Sequence, residues 1–303
     1  MRQRHFFMMR TKRRSGFFGD RRQNGAFMPF WEAALCGIIQ GLTEFLPVSS
    51  SGHLALAHAF FGLENAESYL TFDILLHLAT LLVVVIVYFE DVFSLIPAFF
   101  TVAGKIFRGK FCFSELEGAE RTVSALIVGT IPLVGAVFLK ERVELLLGRT
   151  EIVAVILFAN GCMLLLADRL QRRERDGLTL GGAFGIGVFQ LAAALLPGLS
   201  RSGATIVGGM LFGFSRREAV KFSFLLSIPA VLGANLTNAA DALSNPISAD
   251  ALSAYLVGMA AAAVAGFCAV KLLTYISEKN KFGFFAYYCM TIGVLSLALI
   301  ALH

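Results

Sequence analysis

Charged residues make up only 16% of this 303-residue sequence, where a soluble domain carries about 25%. That scarcity, with 57% hydrophobic residues and a mean hydropathy of +0.73, excludes an ordinary water-soluble globule. No Cys-x-x-Cys spacing occurs. Cys36, Cys112, Cys162, Cys268 and Cys289 are scattered, mostly inside apolar runs, where cysteine behaves as a small hydrophobe; neither a disulfide framework nor a zinc site follows. Apolar-polar alternation is missing too, which rules out an outer-membrane barrel. A net charge of +5 falls in the N-terminal tail and short loops, as membrane topology requires, so it is no sign of nucleic-acid binding.

What remains are apolar runs of about 20 residues, the length of a bilayer-spanning helix. Full spans are predicted near Leu70–Phe89, Thr122–Leu139, Glu151–Asp168, Glu218–Ala239, Ala251–Leu273 and Phe284–Leu302. Val92 to Phe107 is apolar but holds Pro97 and ends at Lys105 and Arg108, the pattern of an interfacial helix. Residues 1–27 carry eight Lys and Arg between Arg2 and Arg22. They read as a disordered arm, or as sequence ahead of a true start at Met28; no cleavable signal follows.

Two segments are too short to span and are interrupted. Phe30–Leu46 ends at Pro47-Val48-Ser49-Ser50-Ser51-Gly52-His53, followed by Leu54–Leu63. Leu180–Leu196 ends at Pro197-Gly198-Leu199-Ser200-Arg201-Ser202-Gly203-Ala204-Thr205, followed by Ile206–Phe214. Such breaks at membrane depth are tolerated only against protein or a water-filled cavity, so both read as re-entrant hairpins. They also look like copies. Gly37-Ile-Ile-Gln40 matches Gly187-Val-Phe-Gln190, Pro47 matches Pro197, and Ser50-Ser51-Gly52 matches Arg201-Ser202-Gly203. Each half is a hairpin plus three spans, which turns the second half upside down. The expected fold is an all-α membrane protein of six spans and two re-entrant hairpins in an inverted repeat. Residues 28–303 form one membrane domain, with repeats at about 30–168 and 180–302. Loops on one side hold fourteen Lys and Arg against Lys140, Arg142 and Arg149 on the other, so the richer side is cytoplasmic.

An arginine at membrane depth costs about 2.5–3.5 kcal/mol on insertion scales unless it meets a cavity or partner. Arg201 with Ser200, Ser202 and Thr205 makes a cationic, donor-rich site for phosphate. On the first hairpin Gln40 and Glu44 lie four apart and share a helix face aimed at Ser49, Ser50, Ser51 and His53. Carboxylate, hydroxyls and imidazole together are the parts for activating a nucleophile. Inverted packing sets base and nucleophile of one half opposite the anion clamp of the other. The bland readings are a structural Glu44–Arg201 ion pair, serine N-caps and a capping His53. Asp73 and His77, four apart, more simply satisfy each other.

Gln40-Gly-Leu-Thr-Glu44-Phe-Leu-Pro-Val-Ser-Ser-Ser-Gly-His53, together with Pro197-Gly-Leu-Ser-Arg-Ser-Gly-Ala-Thr205, resembles the bacitracin-resistance family of undecaprenyl-diphosphate phosphatases. The resemblance runs from about Pro29 to the C-terminus. Ser51 stands where many members have threonine. It implies a multi-pass enzyme of the bacterial inner membrane that removes the terminal phosphate of undecaprenyl diphosphate, for peptidoglycan synthesis and bacitracin resistance. A divalent cation, Mg²⁺ or Ca²⁺, and a site open to the extracytoplasmic side are implied as well. On this reading Glu44, Ser50, His53 and Arg201 are catalytic, and Gln40, Ser49, Ser51, Ser200, Ser202 and Thr205 bind substrate. Gln40 and Glu44 are oxygen donors suited to a hard cation. The nucleophile is Ser50, a water or His53. The partners are the polyprenyl diphosphate and membrane lipids, with a homodimer among the open oligomeric states. The rival reading is an inverted-repeat transporter or flippase of a lipid phosphate.

Overall fold

Proline decides where the two short leading helices stop. A computed structural model describes residues 28–61, 66–170, 178–244, 249–279 and 282–302; the basic tail, 1–27, lies outside them. Helix α1 (Phe30–Phe45) ends at Leu46, whose φ of −67° and ψ of 146° are extended, because a residue ahead of proline is pushed out of the helical region. Helix α2 (Ser50–Phe61) follows after four residues. The second half repeats the device: α9 (Leu180–Leu195) stops before Pro197, and α10 (Arg201–Leu211) starts beyond it. At 16 residues, α1 and α9 are each about 24 Å long at 1.5 Å per residue, short of the ~30 Å hydrocarbon core.

Between the hairpins come α3 (Ala66–Val87), α4 (Phe89–Phe107), α5 (Gly118–Thr130), α6 (Val134–Val137), α7 (Lys140–Leu147) and α8 (Thr150–Leu170). After the second hairpin come α11 (Arg216–Ser244), α12 (Ala249–Lys279) and α13 (Gly283–Leu302). Every long element among the described residues is helical. Five stretches, 118–137, 150–169, 216–237, 251–278 and 283–302, are long and apolar enough to cross a bilayer, and the α3–α4 pair makes up to a sixth. The chain is a multi-pass α-helical membrane protein. Helices α3 and α4 meet at 90°, so α4 lies flat if α3 crosses, as the sequence pattern of Val92–Phe107 leads one to expect. Helix α7 is an addition that no apolar run announced.

The two hairpins are held by reciprocal packing. In α1, a Cβ on Gly37 would come 2.1 Å from the Gly258 carbonyl oxygen of α12, and one on Gly41 would come 2.4 Å from that of Ala262. In α9, a Cβ on Gly187 would lie 2.4 Å from the Gly129 carbonyl oxygen of α5. Thus the first hairpin is clasped by a span from the second half, and the second hairpin by a span from the first. Helices α8 and α13 close the arrangement, Gly161 sitting against Ala286 and Gly293 against Ala154. Glycine here is a requirement of backbone-to-backbone approach. Both breaks rest on one apolar core that includes Phe45, Val48, Leu157, Ile186, Ile206, Met210 and Phe224.

Candidate active site

Each break ends in a serine that caps the next helix. Ser49 Oγ accepts from the Gly52 amide at 3.2 Å, and Ser200 Oγ accepts from the Gly203 amide at 3.1 Å. These are N-cap bonds to the third residue of α2 and α10. Ser49 reaches its position only with φ at +72°, a left-handed conformation costing a non-glycine residue roughly 1–3 kcal/mol. In the second break the capping Ser200 has φ −69°, and the left-handed residue is Gly198, φ +103°, which takes it without that penalty. Ser50 and Arg201 are therefore both first residues of their helices. Their first-turn amides lack intrahelical acceptors, and the dipoles there favour an anion.

Glu44 is the meeting point. Its carboxylate is buried. Oε1 accepts from Arg201 Nη2 across the two halves. Oε2 accepts from Ser50 Oγ at 2.7 Å and from Gln40 Nε2 at 3.1 Å. His77 Nε2 of α3 lies 3.7 Å from the same oxygen. So the structure brings together Gln40, Glu44, Ser50 and Arg201 from three helices and adds a fourth. The pairing expected between Asp73 and His77 takes another form: His77 Nδ1 bonds the Asp73 backbone oxygen at 2.8 Å, which turns the ring towards Glu44.

The other candidate residues stand one step back. His53 shares the first turn of α2 with Ser50, but its ring nitrogens bond the Ser49 carbonyl oxygen at 2.8 Å and Tyr288 Oη at 3.0 Å. Ser51 is exposed, its Oγ 3.4 Å from that of Ser49. Ser202 Oγ donates to the Leu46 carbonyl of the opposite hairpin at 3.1 Å and lies 3.1 Å from Ser200 Oγ. Thr205 Oγ1 lies 2.9 Å from the Arg201 carbonyl oxygen and 2.6 Å from Ser223 Oγ of α11. These three hydroxyls fix the loop that presents Arg201.

Asn160 of α8 was not among the expected residues. Fully buried, it donates through Nδ2 to the Pro47 carbonyl oxygen at 3.0 Å, and its Oδ1 accepts from the Ser200 amide at 3.0 Å. One side chain thus ties both breaks together. The signal was present in the sequence, since an amide in the middle of an apolar span costs energy unless it is satisfied. Tyr288 and Ser223 gave no comparable signal, because their partners are 235 and 18 residues away.

A hard divalent cation fits part of this donor set. Gln40 is fully buried and its Oε1 has no hydrogen-bond partner, beside the Glu44 carboxylate. Two protein oxygens are a fair share for Mg²⁺, which takes one or two carboxylates and completes its shell with phosphate and water. Among the described residues no group of three His, Cys, Asp or Glu could make a closed protein cage.

Comparisons with known proteins identify the family. The profile of the family described as "Bacitracin resistance protein BacA" matches residues 33–295. An undecaprenyl-diphosphatase of Methanobrevibacter smithii is 39% identical over 273 residues, covering 88% of this chain and 96% of the relative. The undecaprenyl-diphosphatase of Bacteroides fragilis is 38% identical over 280 residues, 89% of this chain and 98% of its own. That of Halothermothrix orenii is 35% identical over 276 residues, 90% and 98% respectively. A profile running from within α1 into α13 takes in both breaks and every residue around Glu44, and the chain belongs to the bacitracin resistance protein BacA family.

Proposed function

We propose that this protein is an undecaprenyl-diphosphatase: it hydrolyses undecaprenyl diphosphate to undecaprenyl phosphate and inorganic phosphate. The observation that carries the reading is the meeting of Ser50 and Arg201 on the two oxygens of Glu44. Relatives named for this activity align over nearly their whole length, which supports it. A transporter of lipid phosphate needs an anion site but no hydroxyl bonded to a buried carboxylate. The two halves are read as inverted copies in the inner membrane, with the site open to the extracytoplasmic side; the reciprocal glycine contacts and the loop charges support that arrangement.

In the proposed mechanism Arg201 and the first-turn amides of α2 and α10 hold the diphosphate. Ser50 Oγ attacks the terminal phosphorus while its proton passes to Glu44 Oε2. The bond from that phosphorus to the bridging oxygen breaks, and undecaprenyl phosphate leaves with the electron pair. Water then attacks the phosphoserine and gives a proton to His53. Inorganic phosphate departs as Ser50 Oγ recovers its proton from Glu44. Gln40 Oε1 and Glu44 would hold a divalent cation, which when bound neutralises charge on the diphosphate oxygens. The prenyl chain stays in the bilayer.

The test is phosphate release from purified protein given undecaprenyl diphosphate, with and without chelator. The expected results are release in the parent, its loss on chelation with return on adding Mg²⁺ or Ca²⁺, and its loss in Ser50→Ala. Absence of release from the folded parent, with lipid translocation in vesicles, would overturn the reading.

A further inference from the structure

His53 has two ring nitrogens, and both are occupied. Nδ1 lies 2.8 Å from the Ser49 backbone oxygen. A carbonyl can only accept, so Nδ1 carries a hydrogen. In the neutral ring Nε2 is then a lone pair, and Tyr288 Oη, 3.0 Å away, must be its donor. The two rings are nearly parallel, with 6° between their planes and 5.6 Å between centroids. Tyr288 belongs to α13 and is partly exposed, and its hydroxyl is the group bonded to His53 Nε2. His53 follows Ser50 by three residues on the first turn of α2 and so shares its face.

We propose that Tyr288 is a further catalytic residue, a relay through which the proton of the attacking water reaches His53. The step rests on the phosphatase reading above. As water attacks the phosphoserine, one of its protons passes to Tyr288 Oη, while the phenolic proton passes to His53 Nε2. Tyr288 ends neutral and His53 ends as imidazolium. The reversed contact, Nε2–H donating to Oη, keeps the same geometry, because a hydroxyl both donates and accepts. The ring then returns its proton to solvent by the same route. With Nδ1 held by the Ser49 carbonyl, Nε2 is the nitrogen that takes the proton, and the phenol is bonded to it. The relay also draws the second half of the chain into the first hairpin's acid–base chemistry, as Arg201 does for its carboxylate.

The experiment is a double-mutant cycle on the purified full chain, with Tyr288→Phe, His53→Gln and the double variant. Phenylalanine keeps the stacked ring and removes only the hydroxyl, and thermal unfolding in detergent monitors the fold. Tyr288→Phe is expected to lower kcat for phosphate release about tenfold with KM within threefold of the parent. In the His53→Gln background the same change is expected to cost nothing further. Histidine-selective ¹⁵N spectra, with His53 assigned by its loss in His53→Gln, are expected to show the Nδ1–H tautomer in the parent. A kcat within twofold of the parent in folded Tyr288→Phe overturns the relay. So does an equal tenfold loss in both backgrounds, or a parent His53 protonated at Nε2 alone. A folded parent that releases no phosphate refutes the phosphatase reading itself, and the relay with it.

Discussion

The two hairpins share a scaffold and differ in what they mount on it. Both break before a proline, both restart on a serine N-cap, and both pack a glycine of the leading helix against a carbonyl from the opposite half. The first then offers Gln40, Glu44 and Ser50. The second has Gln190, Ala194 and Arg201 at the matching places. Their surroundings differ as well. Every residue of α10 from Ser202 to Met210 is buried, whereas the start of α2 has Ser51 exposed and Ser50 and His53 half-buried. The cation begins a helix that is otherwise enclosed, whereas Ser50 and His53 lie in a first turn that is partly open. A shared backbone plan does not bring shared chemistry, and a single site can be made from two hairpins that each supply a different part.

The difference is most directly broken at Arg201. Arg201→Ala leaves Glu44 without its cation. Removing one preorganised donor to the reacting anion costs about 2.7–4 kcal/mol of barrier, so kcat/KM for phosphate release is expected to fall by at least about two decades, with Arg201→Lys recovering only part of it, since lysine lacks the planar fork. Asn160→Leu comes next. It strands the Pro47 carbonyl and the Ser200 amide, each worth about 1–3 kcal/mol when buried and unsatisfied. Lower thermal stability in detergent should accompany a kcat loss of roughly tenfold, because the groups on the two breaks are no longer held in register; an unchanged rate would show that the two breaks hold their register without it. The shared scaffold is tested by Gly37→Ala and Gly187→Ala, each expected to lower stability by about 1–3 kcal/mol. A large cost in one hairpin and none in the other would separate the two packings. The smallest effect distinguishes the paired glutamines. Gln40→Ala should lower turnover a few-fold and weaken the response to added cation, while Gln190→Ala should leave turnover unchanged.

Much of this was legible because membranes leave few options. An apolar run of given length must be a helix, and a proline with serines inside one must be a break. Glu44 and Arg201 drew notice because charge at that depth demands a partner, and each proved to be the other's. His77 was visible as a candidate but assigned to Asp73; its ring contacts depend on how α3 approaches α1, which periodicity does not encode. The hydroxyls of Ser200, Ser202 and Thr205 were read as phosphate ligands from their type and proximity. In the fold they bond Gly203, Leu46, Arg201 and Ser223, because a tight turn leaves its own backbone groups nearest. Tyr288 was one tyrosine among six, and only the packing of α13 gives it a histidine.

Asn160 has a mechanical consequence. Alternating access in inverted-repeat transporters works by rocking one half against the other. Here such a stroke would have to pull Pro47 and Ser200 off one amide and separate Arg201 from Glu44 at the same moment. That makes the meeting of the two breaks a rivet where a transporter would have a hinge. A molecule fastened there is built to wait for a lipid headgroup to arrive, with its two halves already joined.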